Sequence, residues 1–182
     1  MSDKIGEILK SEGLSTFGFC RFEDVGSLLN TRNAVLVPKE AKSVITVLFP
    51  YKVPVSKERN LSLYCIGKDY HDIVINKLKS VCNKLRDEFK NEEFVAFCDN
   101  SPIREVRAAY MSGLGFLGKN SLLINRKFGS FCFIGEIVCT LKLENYDLPL
   151  GSCINCGACL NNCVGGALKN VGGEVYLLEK EN

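Results

Sequence analysis

The feature that most constrains this chain is a group of four closely spaced cysteines near its C-terminal end, within residues 152–166 (SCINCGACLNNCVGG). The group consists of Cys153, Cys156, Cys159 and Cys163. The spacing is C-x2-C-x2-C-x3-C, and a loop that folds back on itself can point such cysteines at one centre. Bacterial ferredoxins bind a [4Fe–4S] cluster with this spacing. The run therefore predicts an iron–sulfur cluster held by these four thiolates.

Two other uses of the cysteines remain open. Zinc sites usually combine two separated cysteine pairs, and this chain has no second pair and no histidine near the run. A redox-thiol or structural role is the remaining alternative. The number of clusters is also open, because the fourth cysteine of such a run ligates the other cluster in two-cluster ferredoxins. No cysteine follows Cys163, so it either completes a single cluster or belongs to a second site whose other ligands this sequence lacks.

Composition sets broad limits on location and partners. The N-terminal MSDKIGEILKSEG has no apolar signal core, and no apolar run reaches the roughly 18 residues of a membrane helix. We therefore expect a cytoplasmic protein without a membrane partner, whose cysteines are reduced. The six scattered cysteines are expected to be small buried apolar residues. A net charge of +2 over 182 residues gives no independent support for a nucleic-acid partner.

Hydrophobic patterns alternate between helix and strand along the chain. They predict helices over 3–12 and 70–90, and a further helix that opens at Ser101-Pro102 and runs to Gly113. The predicted strands cover 15–22, 43–51, 93–99 and 130–143. The predicted fold class is therefore mixed, α+β or α/β, with helices packed on a sheet. A proline- and glycine-containing stretch over 145–152 suggests two parts, 1–147 and 148–182.

Three features in the first part are candidates for chemistry. Asp99 ends a predicted buried strand just before a helix start, where α/β folds often place functional groups. Its alternative reading is a helix cap. The glycine cluster GLGFLGK (113–119) fits neither the dinucleotide nor the P-loop spacing, so a helix-terminating turn is the simpler interpretation. His71, the single histidine, is either a surface polar residue or a ligand.

The order of these segments resembles a known family. GKDYH is followed by the strand ending in Asp99, then SP-I-x-E, GLGFLGKNSLLIN, GSFCFIGEI and the cysteine run. This order, over roughly residues 15–168, is similar to the catalytic portion of the epoxyqueuosine reductase family. Those enzymes depend on cobalamin and iron–sulfur clusters and complete queuosine in tRNA. The resemblance implies a nitroreductase-like helix-on-sheet domain that binds cobalamin, followed by a small ferredoxin-like segment.

The resemblance also implies roles for individual residues. The family's catalytic acid falls on Asp99. Tyr70 and His71 fall on the DYH element, near the substrate or the corrinoid. The segments that line the corrinoid supply five further candidates for cofactor contacts, which are Gly115, Gly118, Lys119, Asn120 and Ser130.

The implied reaction is chemically consistent with these groups. Reductive removal of an epoxide oxygen takes two electrons, supplied through the cluster and cobalamin by an electron donor protein such as a ferredoxin or flavodoxin. A positioned carboxylic acid such as Asp99 can protonate the departing oxygen. A helix N-terminus would lower the pKa of Asp99 and burial beside a corrinoid would raise it; we expect burial to dominate in the complex. The cobalt-ligating D-x-H-x-x-G pattern is absent, since Val74 replaces its glycine, so we expect no histidine ligand to cobalt.

The sequence also departs from the family pattern. The family's enzymes carry a second cysteine group and a helical-repeat region that helps to bind tRNA, and neither is found in these 182 residues. Two other functions therefore remain open. One is an iron–sulfur electron carrier without its own catalysis, and the other is a corrinoid reductase that acts on a small molecule, as reductive dehalogenases do.

Overall fold

The computed structural model describes residues 1–51, 62–144, 151–171 and 175–178. The predicted boundary stretch lies mostly outside these residues. The helices are α1 (Ser2–Ser11), α2 (Tyr70–Glu88), α3 (Glu105–Met111) and α4 (Ala158–Asn161). The strands are β1 (Phe17–Arg21), β2 (Ser43–Pro50), β3 (Phe94–Cys98), β4 (Phe116–Leu117), β5 (Leu123–Ile124), β6 (Cys132–Cys139), β7 (Leu168–Val171) and β8 (Val175–Leu178).

The core of the molecule is a four-stranded sheet in the order β1-β2-β6-β3, in which every neighbouring pair is antiparallel. β6 lies between β2 and β3, and Ile137 pairs with Ile45 on one side and with Ala96 on the other. β2 is buried over residues 43–48 and β6 over residues 135–139, which explains why these stretches are mostly apolar rather than alternating. The predicted mixed α and β fold is confirmed, and the sheet itself is antiparallel.

Helices cover both faces of this sheet. α2 places an apolar stripe that includes Val74, Leu78 and Leu85 against one face, next to Ile45 and Ile137, and α1 packs on the same side. On the opposite face, α3 packs against a separate cluster that includes Val44, Phe97, Ala108 and Val138. α2 is the longest helix, with 19 residues, and among the described residues no helix is long and apolar enough to cross a bilayer.

The start of α3 differs from the prediction. The helix begins at Glu105, and Ser101 does not cap it. Instead, the Ser101 hydroxyl donates to Glu136 Oε2 at 2.6 Å and accepts the Ile103 N–H at 3.0 Å. Glu136 is fully buried on β6. A buried carboxyl group without a hydrogen-bond donor costs more free energy than an uncapped helix end that water can reach. Tertiary burial therefore overrides the local Ser-Pro signal.

The scattered cysteines are mostly inside the molecule, as expected. Cys20, Cys82 and Cys139 are buried, and Cys98 and Cys132 are partly buried. Burial raises the pKa of the Cys20 thiol to about 11, which keeps it protonated and unreactive at neutral pH. The expectation is wrong for Cys65, which is exposed in a short 3-10 turn.

The packing of α3 on the sheet predicts a sensitive position at Gly18. A Cβ atom there would collide with the backbone carbonyl oxygen of Ser112, at the C-terminal end of α3. We expect Gly18→Ala to lower the free energy of unfolding by about 1–3 kcal/mol, because β1 and α3 must move apart. Urea denaturation measures this change. Gly67→Ala is the matched control, since nothing lies within 4 Å of a Cβ at Gly67, and equal stability losses in both variants would contradict the packing described.

Candidate active site

Asp99 occupies a tight turn directly after β3. Its φ of 59° lies in the left-handed region, which is uncommon for residues other than glycine and tends to occur at functional sites. The turn is closed by hydrogen bonds from Asn100 N–H to the Cys98 carbonyl at 2.8 Å and from Ser101 N–H to the Asp99 carbonyl at 2.7 Å. The side chain of Asp99 is 57% exposed. In the protein alone, its carboxylate therefore faces open space at the end of the sheet.

Two side chains from the first turn of α2 hold this carboxylate. The Tyr70 hydroxyl donates to Asp99 Oδ1 at 3.2 Å, and His71 Nε2 lies 3.4 Å from Asp99 Oδ2. Asp69 caps α2 by accepting the His71 backbone N–H at 2.9 Å, and its Oδ1 also lies 2.7 Å from His71 Nδ1. Three residues of the GKDYH segment, Asp69, Tyr70 and His71, thus form a hydrogen-bonded network with Asp99. Both ring nitrogens of His71 are engaged by carboxylates.

Charge within the network favours a protonated histidine. The hydrogen bond to Asp69, reinforced by Asp99, raises the pKa of His71 above its ordinary value. The same hydrogen bond lowers the pKa of Asp69. Burial, followed by the charge of Asp99, raises the pKa of Tyr70, so its hydroxyl keeps its proton and acts as a donor.

Aromatic stacking fixes the orientation of Tyr70. Its ring lies parallel to Phe133 of β6, with centroids 3.9 Å apart, and stacks on His71 with centroids 4.0 Å apart. Tyr70 and Phe133 lie in the wall between two cavities and line both of them. The larger cavity, of about 350 Å³, is mainly apolar. The smaller, of about 140 Å³, also receives Asp99 and Ser130, and we call it the acid cavity.

Glu105 is a residue of the acid cavity to which the sequence assigned no role. It is the first residue of α3 and lines the cavity together with Asp99 and Tyr70. Burial, followed by the negative charge of Asp99, raises the pKa of Glu105 to about 7. The motif SP-I-x-E contained this glutamate, but local sequence does not indicate that α3 turns it towards Asp99.

The other predicted cofactor contacts lie in or beside the β4–β5 hairpin. A Cβ at Gly115 would lie 2.5 Å from the Ile124 carbonyl oxygen, so close backbone packing requires glycine there. The Gly118 N–H donates to the Leu122 carbonyl at 2.8 Å, and Asn120 Oδ1 accepts the Leu122 N–H at 3.4 Å. These residues shape the hairpin, and their contact with a cofactor stays a prediction. Of the five candidates, Ser130 alone lines the acid cavity.

Exposed apolar side chains border the acid cavity. Leu122 borders the cavity and is 47% exposed, and Leu117 of the same hairpin is 39% exposed. Exposed apolar side chains of this size next to polar groups are typical of ligand sites. His71 has no ring nitrogen left for a metal, because carboxylates engage both. The residues present therefore fit a corrinoid held without a histidine ligand.

The cysteine run lies next to this hairpin. Hydrogen bonds from the backbone N–H groups of Asn155 and Lys119 lower the pKa of the Cys153 thiol, and the Lys119 charge adds to the effect. Asn155 and Gly157 adopt left-handed backbone angles, with φ of 56° and 72°, which turn the segment sharply. Four free thiols, one of them with a lowered pKa, are the donor chemistry of an iron–sulfur site. Among the described residues, however, no three His, Cys, Asp or Glu side chains converge on a metal position.

Sequence comparison places the chain near one group of enzymes. Residues 32–100 match the family model described as "Epoxyqueuosine reductase QueG, DUF1730". The chain is 35% identical over 131 residues to the epoxyqueuosine reductase of Gloeobacter violaceus, covering 70% of this chain and 41% of that protein. It is 39% identical over 127 residues to that of Leadbetterella byssophila, covering 68% and 42%. The chain is homologous to the epoxyqueuosine reductases. It spans about two fifths of the length of these curated relatives.

Solved structures agree on the fold. The epoxyqueuosine reductase of Streptococcus thermophilus superimposes with a TM-score of 0.78 at 23% identity, covering 92% of this chain and 53% of that chain. The Bacillus subtilis enzyme, described with an aspartate catalytic loop swung out of the active site, gives a TM-score of 0.76 at 19% identity, covering 91% and 52%. A reductive dehalogenase described as suggesting a mechanism for B12-dependent dehalogenation gives 0.60 at 11% identity, covering 83% and 20%.

The His71 network yields a direct test, because the chain contains a single histidine. We expect a proton NMR titration to place the His71 pKa above the ordinary value of 6.5. Asp69→Asn should lower this pKa, because it removes the carboxylate that stabilises the imidazolium. Asp87→Asn, at the far end of α2, is the control. An unchanged pKa in Asp69→Asn would show that the Asp69–His71 contact does not operate in solution.

Proposed function

We propose that this chain is the catalytic part of an epoxyqueuosine reductase. In this role it removes an epoxide oxygen reductively, with a corrinoid and a [4Fe–4S] cluster as cofactors. The observation that carries the proposal is the placement of Asp99, in a left-handed turn at the end of β3, facing a cavity and held by Tyr70 and His71. The homology to epoxyqueuosine reductases supports it.

Asp99 is proposed to donate a proton to the departing epoxide oxygen. Its exposed carboxyl group can reach a substrate placed over the acid cavity, while Tyr70 and His71 fix its orientation. The Bacillus subtilis relative is described with an aspartate catalytic loop that swings out of its active site. The turn that carries Asp99 is the corresponding candidate here, because it also carries an aspartate that directly follows a strand at the edge of a cavity.

The cofactors would bind on either side of the β4–β5 hairpin. Cys153, Cys156, Cys159 and Cys163 would hold the cluster. The corrinoid would contact the hairpin and the rim of the acid cavity, with Gly115, Gly118, Lys119, Asn120 and Ser130 as the proposed contacts. Together these groups would supply the two electrons that the reduction needs. The nitroreductase-like character of residues 1–147 and the ferredoxin-like character of 148–182 belong to this proposal.

The proposed substrate is an epoxyqueuosine-containing tRNA. One structural neighbour is a crystal structure of an epoxyqueuosine reductase with an epoxyqueuosine-modified tRNA-Tyr stem loop, which superimposes with a TM-score of 0.75. The proposed electron source is a ferredoxin or flavodoxin. A cytoplasmic location is part of the same proposal.

Substitution of Asp99 tests the proposed reaction. The full chain is purified anaerobically, loaded with iron, sulfide and cobalamin, and given an epoxyqueuosine-modified stem loop with a chemical reductant. We expect Asp99→Asn to slow single-turnover epoxide reduction by about 10²–10⁴-fold, because it removes the proton donor. Its corrinoid content should match that of the wild type.

Asp72→Asn on the exposed side of α2 is the matched control and should retain the wild-type rate. Wild-type turnover in Asp99→Asn would refute the proton-donor role. A wild-type chain that binds no corrinoid would refute the proposed enzyme and leave an electron carrier.

The cysteine run gives a second test. We expect the reconstituted chain to hold about four irons, and Cys156→Ser to lose iron together with the broad visible absorption of the cluster. Cys65→Ser is the control, because Cys65 is also exposed and lies outside the run. Zinc in place of iron, or full iron content in Cys156→Ser, would contradict the ligand assignment.

One observation favours a second candidate, a corrinoid reductase that acts on a small molecule. The acid cavity holds only about 140 Å³, which is small for a modified nucleoside. The fold is also shared with a reductive dehalogenase described as B12-dependent. Turnover of a small halogenated or epoxide substrate, with no reduction of the stem loop by the same preparation, would establish this alternative.

A further inference from the structure

Glu105 is the second carboxyl group that faces the acid cavity. It lies beside Asp99 and Tyr70 in the cavity wall and is half-buried. Within the described parts of the chain, its carboxyl group has no hydrogen-bond or ion-pair partner. Ionisation of a half-buried carboxyl group without a partner costs free energy, so its protonated form is favoured.

The groups that face Glu105 strengthen this preference. Asp99 and Cys98 face it from the end of β3, Tyr70 from α2 and Glu136 from β6. All four are acidic or neutral, and none supplies a positive charge. Burial and the charge of Asp99 raise the pKa of Glu105 to about 7.

The cations on the same helix segment point elsewhere. Arg104 donates to the Ser27 carbonyl at 3.3 Å, and Arg107 donates to the Asp24 carbonyl at 2.6 Å. Both arginine side chains are therefore directed towards residues 24–27 and away from the acid cavity. Glu105 is left as a carboxyl group that can hold a proton at neutral pH next to Asp99.

The proposed reaction needs such a group. Conversion of an epoxide to an alkene and water consumes two electrons and two protons, whereas Asp99 carries only one proton. We propose that Glu105 supplies the second proton, by returning a proton to Asp99 after Asp99 has given up its own. The inference rests on the proposed function of Asp99.

The proton step balances without any further reactant. The O–H bond of Glu105 breaks, an O–H bond forms on the Asp99 carboxylate, and no electrons move. Glu105 remains as a carboxylate until solvent protonates it again. Glu105 acts through Asp99, which it reprotonates, and does not touch the reacting oxygen. It is therefore a positioning residue and not a catalytic residue.

Other groups near Asp99 are poorer sources. Glu136 also has a raised pKa, of about 8, but it is sealed in the core, bonded to Ser101, and does not line the cavity. Tyr70 holds its proton more tightly than an ordinary tyrosine. His71 lies between Asp69 and Asp99, so the loss of its proton would leave two carboxyl groups on either side of a neutral ring.

A titration of the chain without cofactors provides the first test. Carbon NMR of the protein labelled at the glutamate carboxyl carbons follows Glu105, and Glu105→Gln identifies its signal. We expect a midpoint near pH 7, and a lower midpoint in Asp99→Asn, because the neighbouring charge is gone. Glu136→Gln separates the signal of the other raised carboxyl group. A midpoint near 4.5, or one that Asp99→Asn does not move, would overturn the proposal.

The pH profile of the loaded enzyme provides the second test. We expect the wild-type rate of epoxide reduction to fall as the pH rises through about 7, where Glu105 loses its proton. Glu105→Gln should reduce the rate about tenfold or more and abolish this decline, and Glu105→Asp should restore part of the rate. Glu88→Gln, at the exposed end of α2, is the matched control.

The two tests separate this inference from the proposed function. A wild-type rate and profile in Glu105→Gln would refute the role of Glu105 even if Asp99 is the acid. A wild-type enzyme that reduces no epoxide would refute the proposed function, and the titration would then decide by itself whether Glu105 holds a proton near neutral pH in a way that depends on Asp99. Thermal denaturation of each variant shows whether it is folded.

Discussion

The pairing of β6 with both β2 and β3 is the interaction on which the rest of the structure depends. Cys98 at the end of β3 pairs with Gly135, so Asp99 emerges beside the N-terminal half of β6. Phe133, two residues before Gly135, then presents its ring to Tyr70 at the start of α2. α2 can approach β6 this closely because a Cβ at Gly135 would press against Val74 and Leu78. One strand therefore sets the distance between the acid after β3 and the aromatic and imidazole groups of α2.

Electrostatics divide the site into two halves. On the open side, Asp69 and His71 form a pair that solvent can reach, where their hydrogen bond favours the carboxylate of Asp69 and the imidazolium of His71, and Asp99 lies next to His71. On the closed side, Glu105 is surrounded by acidic and neutral groups, and burial sets its protonation state. Asp99 belongs to both halves. This division lets hydrogen-bonding groups orient Asp99 while burial favours a proton on Glu105 beside it.

Much of the fold could be predicted, since its patterns are strong and local. The apolar stripe of α2 and the β-branched run of β2 predict elements that the structure contains, with ends displaced by a residue or two. The start of α3 was predicted wrongly at Ser101, because a serine before proline normally caps a helix, whereas here the buried Glu136 takes its hydroxyl. The exposure of Cys65 was missed for a similar reason, since burial depends on neighbours that are distant in sequence.

The sequence by itself determined the chemical inventory: a ferredoxin-like cysteine run, an aspartate after a buried strand, and the DYH element. These are linear patterns, and spacing is enough to reveal them. Only the tertiary structure decided which of these groups meet. In the structure, Tyr70 and His71 contact Asp99, and Glu105 lines the same cavity. Gly115 packs closely against the backbone of Ile124. Contacts between residues far apart in the chain depend on strand register and helix packing, which local sequence does not encode.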